Sequence, residues 1–354
     1  ALIPTQLGND KIKWESTVQK DLGLDFSFMR GRLGGTFGYY HKVTDGTLLN
    51  MTPAPSSSYS TVVFNIAKIR NQGLEFDIHG DFIRKKDFRW TGSLNISRNV
   101  SKVLDINGGP FSDPNDRDAL NLGTSVVKEG EPLGLLYGRV ATGIIKTQEQ
   151  LEAAKEAFPR WSSSSPYLNL GDIAYVYEDN SWKQDVIGHA TPDFFGGYTN
   201  TITWKRLTLT ALFTFSYGND LIYQKDVSDS GMSSLANRGT RVLNHYSENN
   251  TASNRPRYVL GNTNMLTSLN VYDASYLKLK SLTLSYNLPK QICQKCRLNA
   301  LSVYATATNL FTITSYPGPD PEVSDDPTSV IGGGRDVSTY PTVKSYTFGI
   351  RFNF

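Results

Sequence analysis

The chain has 354 residues, of which 19% are charged and 12% are aromatic, and its formal net charge is +3. A charge this small, with Lys and Arg scattered along the chain, argues against a nucleic-acid partner. No stretch approaches about 18 consecutive apolar residues, so the sequence predicts no transmembrane helix.

Apolar and polar residues alternate at every second position over much of the chain, which predicts β-strands. In the first such stretch, Leu22, Leu24 and Phe26 alternate with Asp21 and Asp25. The same pattern predicts nine strands, at residues 14–28, 33–44, 72–82, 87–99, 195–204, 207–222, 275–288, 299–312 and 343–354.

The length of these strands and of their connections indicates a membrane protein. Many reach about 11–15 residues, against a mode of about 5–6 in globular sheets, and about 9–11 residues cross a membrane when tilted. Short turns ("MRGR", "RKKD", "KR") alternate with long connections at about 46–70, 101–193, 224–272 and 314–341. We therefore predict an all-β fold, an antiparallel transmembrane β-barrel with long extracellular loops that occupies residues 1–354. A secreted soluble β-sandwich enzyme is the alternative.

The number of strands predicts that the barrel is partial. Bacterial single-chain barrels have even strand counts, and open strand edges are not stable in lipid. If the short turns lie in the periplasm, nine crossings place the C-terminus in the periplasm. The stretch "LLYGRVATGII" (135–145) is then an extracellular hairpin arm or an even pair of excursions. We expect the remaining strands to come from another chain or segment.

The two cysteines, Cys293 and Cys296, stand in "CQKC" between two predicted strands. A zinc site needs about four ligands, and no second cysteine pair or nearby histidine is present. We expect a structural role, as a local disulfide or as inert thiols in a turn, rather than a redox motif.

Beyond the alternation, nine stretches of sequence resemble the C-terminal half of SusC/RagA-type TonB-dependent outer-membrane transporters. They follow one another in order over nearly the whole chain: "KWESTVQKDLGLDF" (13–26), "IRNQGLEFDIHGDF" (69–82), "DFRWTGSLNISRNVSKV" (87–103), "GEPLGLLYGRVATGI" (130–144), "VIGHATPDFFGGYTNTITWKRLTLTALFTFSYGND" (186–220), "DASYLKLKSLTLSYNLP" (273–289), "ATNLFTIT" (307–314), "YPGPDPEV" (316–323) and "YTFGIRFNF" (346–354).

The resemblance implies a plugged barrel of about 22 strands in the outer membrane of a Gram-negative bacterium. It implies import of an oligosaccharide or oligopeptide, a SusD-like surface lipoprotein as partner, and energy from the TonB complex. The plug and the TonB-contacting segment would belong to an N-terminal part that this sequence lacks. The resemblance implies no enzyme activity and no cofactor. A surface scaffold or adhesion barrel without transport is the alternative function.

Acidic side chains recur on the polar side of the first and third predicted strands. His79 stands between Asp77 and Asp81, which is reminiscent of part of a catalytic triad, but no nucleophile motif accompanies it. We interpret these acids as lumen residues that contact the plug or one another, with simple solvation as the alternative. The acids are Glu15, Asp21, Asp25, Glu75, Asp77 and Asp81.

Aromatic residues of the longest loop are the candidates for contact with substrate or with the lipoprotein lid, because sugar rings present apolar C–H groups that stack on aromatic faces. Packing within the loop is the alternative. These residues are Trp161, Tyr167, Tyr175, Tyr177 and Trp182. In the same loop, "TQEQLEAAKEAF" (147–158) predicts a short helix with a capping box between Thr147 and Gln150. "YPGPDPEV" is stiffened by its prolines, and the sequence alone assigns it no role.

Relatives in the resembled family often carry a calcium-loop-like stretch, and residues 171–188 stand at that place in this chain. The stretch keeps oxygen donors at Asp172, Glu178, Asp179 and Asp185 but lacks the EF-hand glycine and glutamate positions. We predict no metal site, and calcium binding at these four residues is the alternative.

The chain ends on an alternating strand. Its large apolar residues are Tyr346, Phe348, Ile350, Phe352 and Phe354. An aromatic terminal residue on such a strand resembles the signal that the outer-membrane assembly machinery recognises. We expect this face to contact lipid, with Arg351 and Asn353 on the lumen side.

Overall fold

A computed structural model describes residues 6–51, 59, 61–106, 118–157, 168–178, 181–230, 237–259, 265–326, 329 and 331–354. Its largest element is one long antiparallel sheet, which we call the main sheet. The strands of the main sheet are β2 (Ser16–Phe28), β3 (Leu33–Met51), β4 (Thr61–Arg84), β5 (Phe88–Ile106), β14 (Phe194–Trp204), β15 (Leu207–Tyr217), β18 (Tyr276–Asn287), β19 (Ala300–Thr314) and β21 (Ser345–Asn353).

Shorter strands and helices fill the connections. The strands are β1 (Gln6–Leu7), β6 (Ala119–Asn121), β7 (Ser125–Lys128), β8 (Leu135–Arg139), β9 (Ala141–Ile144), β10 (Ile173–Tyr175), β11 (Tyr177–Glu178), β12 (Ser181–Trp182), β13 (Gln184–His189), β16 (Asp220–Tyr223), β17 (Val271–Asp273) and β20 (Arg335–Asp336). The helices are α1 (Gln148–Ala157), α2 (Gln224–Ser230) and α3 (Lys290–Lys295), with 3₁₀ turns at Thr240–Asn244 and Ser268–Asn270.

The main sheet is a meander, in which each strand pairs with the next main-sheet strand along the chain. Its order is β2-β3-β4-β5-β14-β15-β18-β19-β21, and β1 adds a short parallel pairing to β4. Nine main-sheet strands are therefore found where nine were predicted. The strand predicted at 207–222 is too long, because β15 ends at Tyr217 and β16 pairs with β17 and β20 in a separate sheet. The outer edges of β2 and β21 do not pair with each other there, so the sheet is open.

The two faces of the main sheet differ in polarity because side chains alternate along each strand. On one face, Leu24, Phe37, Phe76 and Ile96 are cross-strand neighbours in one row. On this apolar face many side chains stand exposed, up to 81% for Phe348. A contiguous apolar surface of this extent is typical of a face that another apolar medium covers.

Short connections lie at one end of the main sheet and long ones at the other. The short-turn end contains residues 29–32, 85–87 and 205–206, together with the segment 288–299, which includes α3. The chain end lies here too, since the backbone N–H of Asn299 donates to the carbonyl oxygen of Asn353 at 2.8 Å. This agrees with the alternation of connection lengths in the sequence.

The predicted bounds of the first long loop are wrong. A loop was expected at 46–70, but β3 continues to Met51 and β4 begins at Thr61. The register between β3 and β4 shifts near Thr47, which interrupts the alternation of apolar and polar residues in the sequence. The two strands stay paired beyond this point because backbone hydrogen bonds do not depend on the side-chain pattern. β5 likewise continues to Ile106, past the predicted loop start at 101.

The extended ends of β4 and β5 support the loop structure above the sheet. Val62, Ile66 and Val103 are buried against Leu120 and Val127 of the 101–193 connection. β6, β7, β8 and β13 form a separate four-stranded sheet, and β9 pairs with β10. None of these strands joins the main sheet. This agrees with the prediction that residues 135–145 do not form a membrane crossing.

The helices are short. At the start of α1, the N–H of Gln150 donates to the hydroxyl of Thr147 at 3.2 Å and the side chain of Gln150 accepts from the N–H of Thr147, which confirms the predicted capping box. α3 carries a buried Cys293, and Cys296 lies exposed at its C-terminal end; both thiols are free. Among the described helices, none has the length and apolar character needed to cross a membrane.

Candidate functional site on the polar face and in the long-loop end

Five of the six predicted acids lie on the polar face of the main sheet: Asp21, Asp25, Glu75, Asp77 and Asp81. Asp25, Thr36, Asp77 and Asn95 are successive cross-strand neighbours on β2 to β5. Glu75 lies in the next row, and with Asp25 and Asp77 it lines a shallow cavity of about 490 Å³. Within the described residues, the carboxylates of Asp25 and Glu75 accept no hydrogen bond, so this face attracts cationic or hydrogen-donating groups.

The acids nearer the ends of the strands are already occupied. Arg89 makes a bidentate contact with Asp81, with its Nη2 at 2.7 and 3.0 Å from the two carboxylate oxygens. Glu15 precedes β2 rather than lying in it, and its Oε1 accepts from the N–H of Leu48 at 2.6 Å. His79 lies 3.5 Å from Asp77. Because Asp81 binds Arg89, the histidine does not lie between two available carboxylates.

The described loop aromatics contact one another. Tyr175 and Trp182 lie with ring centroids 6.2 Å apart, and the guanidinium of Arg139 stands 5.2 Å from the Trp182 ring. Tyr177 is the pairing partner of Trp182 in the β11–β12 hairpin. Burial raises the pKa of the Tyr175 phenol. The structure therefore brings three of the five predicted aromatics together, while Trp161 and Tyr167 lie outside the described residues.

The predicted calcium donors have other partners. Arg257 binds both carboxylate oxygens of Asp172, at 2.7 and 3.0 Å. Burial raises the pKa of Asp172, and the Arg257 hydrogen bonds oppose that rise. Glu178 and Asp185 lie 3.4 and 4.0 Å from Lys183, and Asp179 is outside the described residues. In the part of the chain that the structure describes, no three His, Cys, Asp or Glu residues are arranged to hold a metal.

One cluster was missed by the sequence analysis. Lys278 of β18 is 1% exposed at its side chain, and its Nζ lies 2.8 Å from Asp320 and 2.5 Å from Glu322. Lys280 also reaches Glu322, at 2.9 Å, and Thr342 donates its hydroxyl to Asp320. We call these five residues the Lys278 cluster. It attaches both arms of the β19–β21 connection to the wall of the main sheet.

The charges within this cluster stabilise one another. Burial alone would raise the pKa of Asp320, but hydrogen bonds from Lys278 and Thr342 hold that pKa below its ordinary value. For Glu322, burial is again opposed by hydrogen bonds from Lys278 and Lys280, and its pKa is also lowered. The sequence shows two lysines in a predicted strand and two acids in "PDPE". Nothing in the sequence pattern indicates that these residues form ion pairs.

A second contact set holds the same connection. Asp336 is fully buried, and it accepts from the hydroxyl of Tyr316 at 2.8 Å and from the N–H of Ser338 at 3.0 Å. Burial and the hydrogen bond to Asp336 raise the pKa of Tyr316. The Tyr316 ring packs against Tyr223 at 5.7 Å and Tyr272 at 6.5 Å. The connection is therefore a packed structural element.

Known proteins match both the sequence and the fold. The chain matches the family described as "TonB dependent receptor-like, beta-barrel" over residues 3–310. TonB-dependent receptor P3 of Formosa agariphila is 32% identical over an alignment that covers 100% of this chain and 35% of that protein. TonB-dependent receptor SusC of Bacteroides thetaiotaomicron is 27% identical over 98% of this chain and 32% of its own length.

A solved structure supports the fold independently. The structure of the RagAB peptide transporter superposes with a TM-score of 0.75 at 23% identity, over 98% of this chain and 36% of that chain. The chain thus spans between 32% and 35% of the length of the two curated relatives.

Proposed function

The chain belongs to the TonB-dependent receptor-like β-barrel family, and from this premise we propose that it forms the C-terminal part of the barrel of an outer-membrane importer for an oligomeric nutrient. The supporting observation is the main sheet itself. Its nine described crossing strands have one apolar and one polar face, and the long connections all lie at one end. In a barrel wall the apolar face contacts lipid and the polar face lines the lumen.

The arrangement of the loops gives the proposed orientation. Long-loop ends face the outside in bacterial barrels, so the short-turn end and Phe354 face the periplasm. In this orientation Asp25, Glu75 and Asp77 line the lumen. The carboxylates of Asp25 and Glu75, which accept no hydrogen bond among the described residues, can accept hydrogen bonds from a plug there. The chain would bind and pass its substrate without covalent chemistry.

The partners follow from the relatives. SusC is a TonB-dependent receptor, and RagAB is a peptide transporter. We infer that this chain works with a SusD-like surface lipoprotein above the long loops and takes energy from the TonB complex through an N-terminal part of the whole protein. The substrate is an oligosaccharide or an oligopeptide.

The test uses the full-length protein in its own bacterium. Deletion of its gene should abolish uptake of one class of labelled oligosaccharide or peptide, and disruption of TonB coupling should have the same effect. The protein should fractionate with the outer membrane and need detergent for extraction. Release into aqueous buffer alone would overturn the barrel assignment. If the deletion strain kept normal uptake but lost its ability to attach to surfaces, a scaffold or adhesion role would be favoured instead.

A further inference from the structure

A group of basic residues stands on the apolar face of the main sheet, toward its long-loop end. Leu22 of β2 and Arg98 of β5 belong to one cross-strand row of this face. Lys20 is two residues from Leu22, and Lys102 is four residues from Arg98, so both share that face. Arg70 of β4 is the cross-strand partner of Lys102. We call Lys20, Arg70, Arg98 and Lys102 the basic cluster.

The positive charge is confined to this part of the apolar face. Between the cluster and the short turns, the described apolar-face positions of β2 to β5 contain no Lys or Arg. On β14, β15, β18, β19 and β21 the basic residues are Lys278, Lys280 and Arg351, and all three lie on the polar side. The cluster is therefore a local feature of four neighbouring strands.

The cluster lies at the height where a barrel wall leaves the apolar part of the membrane. Arg98 is ten residues from Phe88, the first residue of β5 at the short-turn end. At about 3.4 Å per residue and a tilt of about 40°, these residues cover about 26 Å along the membrane normal. The apolar band of bacterial barrels is about 25 Å tall and ends in aromatic residues. Tyr39, in the same row as Arg98, fits such an aromatic girdle, so the cluster is at the level of lipid headgroups.

The basic cluster lacks counter-charge in the part of the chain that the structure describes. None of its four side chains forms an ion pair there, and Nε of Arg70 is buried without a hydrogen-bond acceptor. Asp45 lies on this face of β3, but Lys68 already binds it at 3.3 Å. Like charges repel one another, and a buried donor without an acceptor is unfavourable. A bound anion would relieve both.

The width of the cluster indicates more than one anionic group. Neighbouring strands lie about 4.8 Å apart, so the cluster extends about 14 Å from β2 to β5. Arginine side chains bind phosphate oxygens through two N–H groups at once, which suits Arg70 and Arg98. A small anion from solution would leave the apolar rows beside the cluster uncovered, whereas a lipid covers them with its acyl chains.

We propose that the basic cluster is a binding site for a membrane lipid whose headgroup carries two phosphates. The phosphates bind the four cations, and the acyl chains lie along apolar-face positions such as Leu22 and Leu24. Charge complementarity favours this occupant over a second copy of this chain, since the acid on the described apolar face, Asp45, is already paired. The site is distinct from nutrient import and does not depend on the substrate that is carried.

The experiment measures lipid binding to the purified full-length protein by native mass spectrometry in detergent. The probes are lipid A with two phosphates, its monophosphorylated form, phosphatidylglycerol and inorganic pyrophosphate. Lipid A with two phosphates should bind most tightly. Arg70→Gln and Lys102→Gln should each weaken its binding about fivefold, and the double variant about 25-fold, as expected when basic residues beside anionic headgroups lose their charge.

Lys42→Gln is the matched control. Lys42 follows His41 on β3, and its cross-strand neighbours Gln19 and Asn71 place it on the polar face at about the same height. The substitution removes the same charge from the other side of the wall, so the affinity for lipid A should equal that of the wild type. Heat-dependent migration in gels shows that each variant is folded.

Equal affinity of the wild-type protein and the double variant would overturn the lipid site, and so would an equal loss of affinity in Lys42→Gln. Pyrophosphate binding as tight as that of lipid A would identify a site for free phosphate instead. A change of oligomeric state in the double variant with unchanged lipid binding would identify a contact between copies. If no lipid bound while TonB-dependent uptake stayed intact, the lipid site would be refuted and the import function would stand.

Discussion

At the scale of single residues, Lys278 shows how a buried charge shapes the long-loop end. Transfer of an ammonium group out of water costs several kcal/mol, and here two carboxylates offset that cost. Lys280, two residues on, shares the same face of β18 and reaches Glu322 from a more exposed position. Together they hold the acids of "YPGPDPEV", so the structure gives this segment a role as an anchor.

We predict that Lys278→Met releases the β19–β21 connection from the wall. The substitution keeps the side-chain volume but leaves Asp320 and Glu322 without their buried cation, which costs about 3–5 kcal/mol. Hydrogen exchange of the folded full-length protein in detergent should therefore speed up within 320–342. Lys280→Met is the control. Its Nζ is partly exposed and contacts Glu322 alone, so the loss should be about 0–1 kcal/mol. Equal protection in both variants would contradict the anchor.

The sequence could not predict this cluster. The alternation in "YLKLKSL" correctly predicts that the two lysines lie on the polar face of a strand. Their partner Asp320 lies 42 residues along the chain from Lys278, in an irregular segment without a periodic pattern. Proximity across such a distance depends on how the whole connection folds back, and no local propensity encodes it.

At the scale of elements, the strands were predictable where side-chain periodicity and backbone pairing coincide. β14 was expected at 195–204 and is found at Phe194–Trp204, because both faces alternate to its end. The extensions of β3 and β4 were missed, since pairing there continues through a register shift near Thr47. β6 and β7 were also missed because they are only three and four residues long, too short to show a period.

The last strand leads to an element-scale prediction. In β21, Phe348, Ile350 and Phe352 share the apolar face, and the ring of Phe354 packs on Phe352 with centroids 5.3 Å apart. We expect deletion of Phe354 to reduce the amount of full-length protein assembled in the outer membrane, because the terminal aromatic residue of the alternating face is lost. Quantitative blotting of outer-membrane fractions would measure it.

The matched control for the deletion is Asn353→Ala. It changes a polar-face side chain beside Phe354 and leaves both rings and the backbone contact to Asn299 in place. Assembly of this variant should equal the wild type. A normal level of the Phe354 deletion variant would show that the terminal aromatic residue is not the recognised feature.

At the scale of the whole molecule, charge is unevenly distributed between the two ends of the main sheet. The short-turn segments 29–32, 84–87, 205–206 and 289–297 contain ten Lys and Arg residues and one Asp. Basic segments next to a bilayer are attracted to anionic phospholipid headgroups. The basic short-turn segments thus fit an anionic lipid surface, while the proposed orientation rests on the lengths of the connections.

The native cysteines give a direct test of this orientation. Cys296 is exposed at the short-turn end, whereas Leu243, 82% exposed, lies in the long connection between β15 and β18. After reduction with a membrane-permeant thiol, a membrane-impermeant maleimide should leave Cys296 of the full-length protein unlabelled in intact cells and label it once the outer membrane is permeabilised. Leu243→Cys in a Cys296→Ser background should be labelled in intact cells, because the long loops are proposed to face outward. Labelling of Cys296 in intact cells with protection of residue 243 would reverse the assigned orientation, and with it the periplasmic position of the last strand.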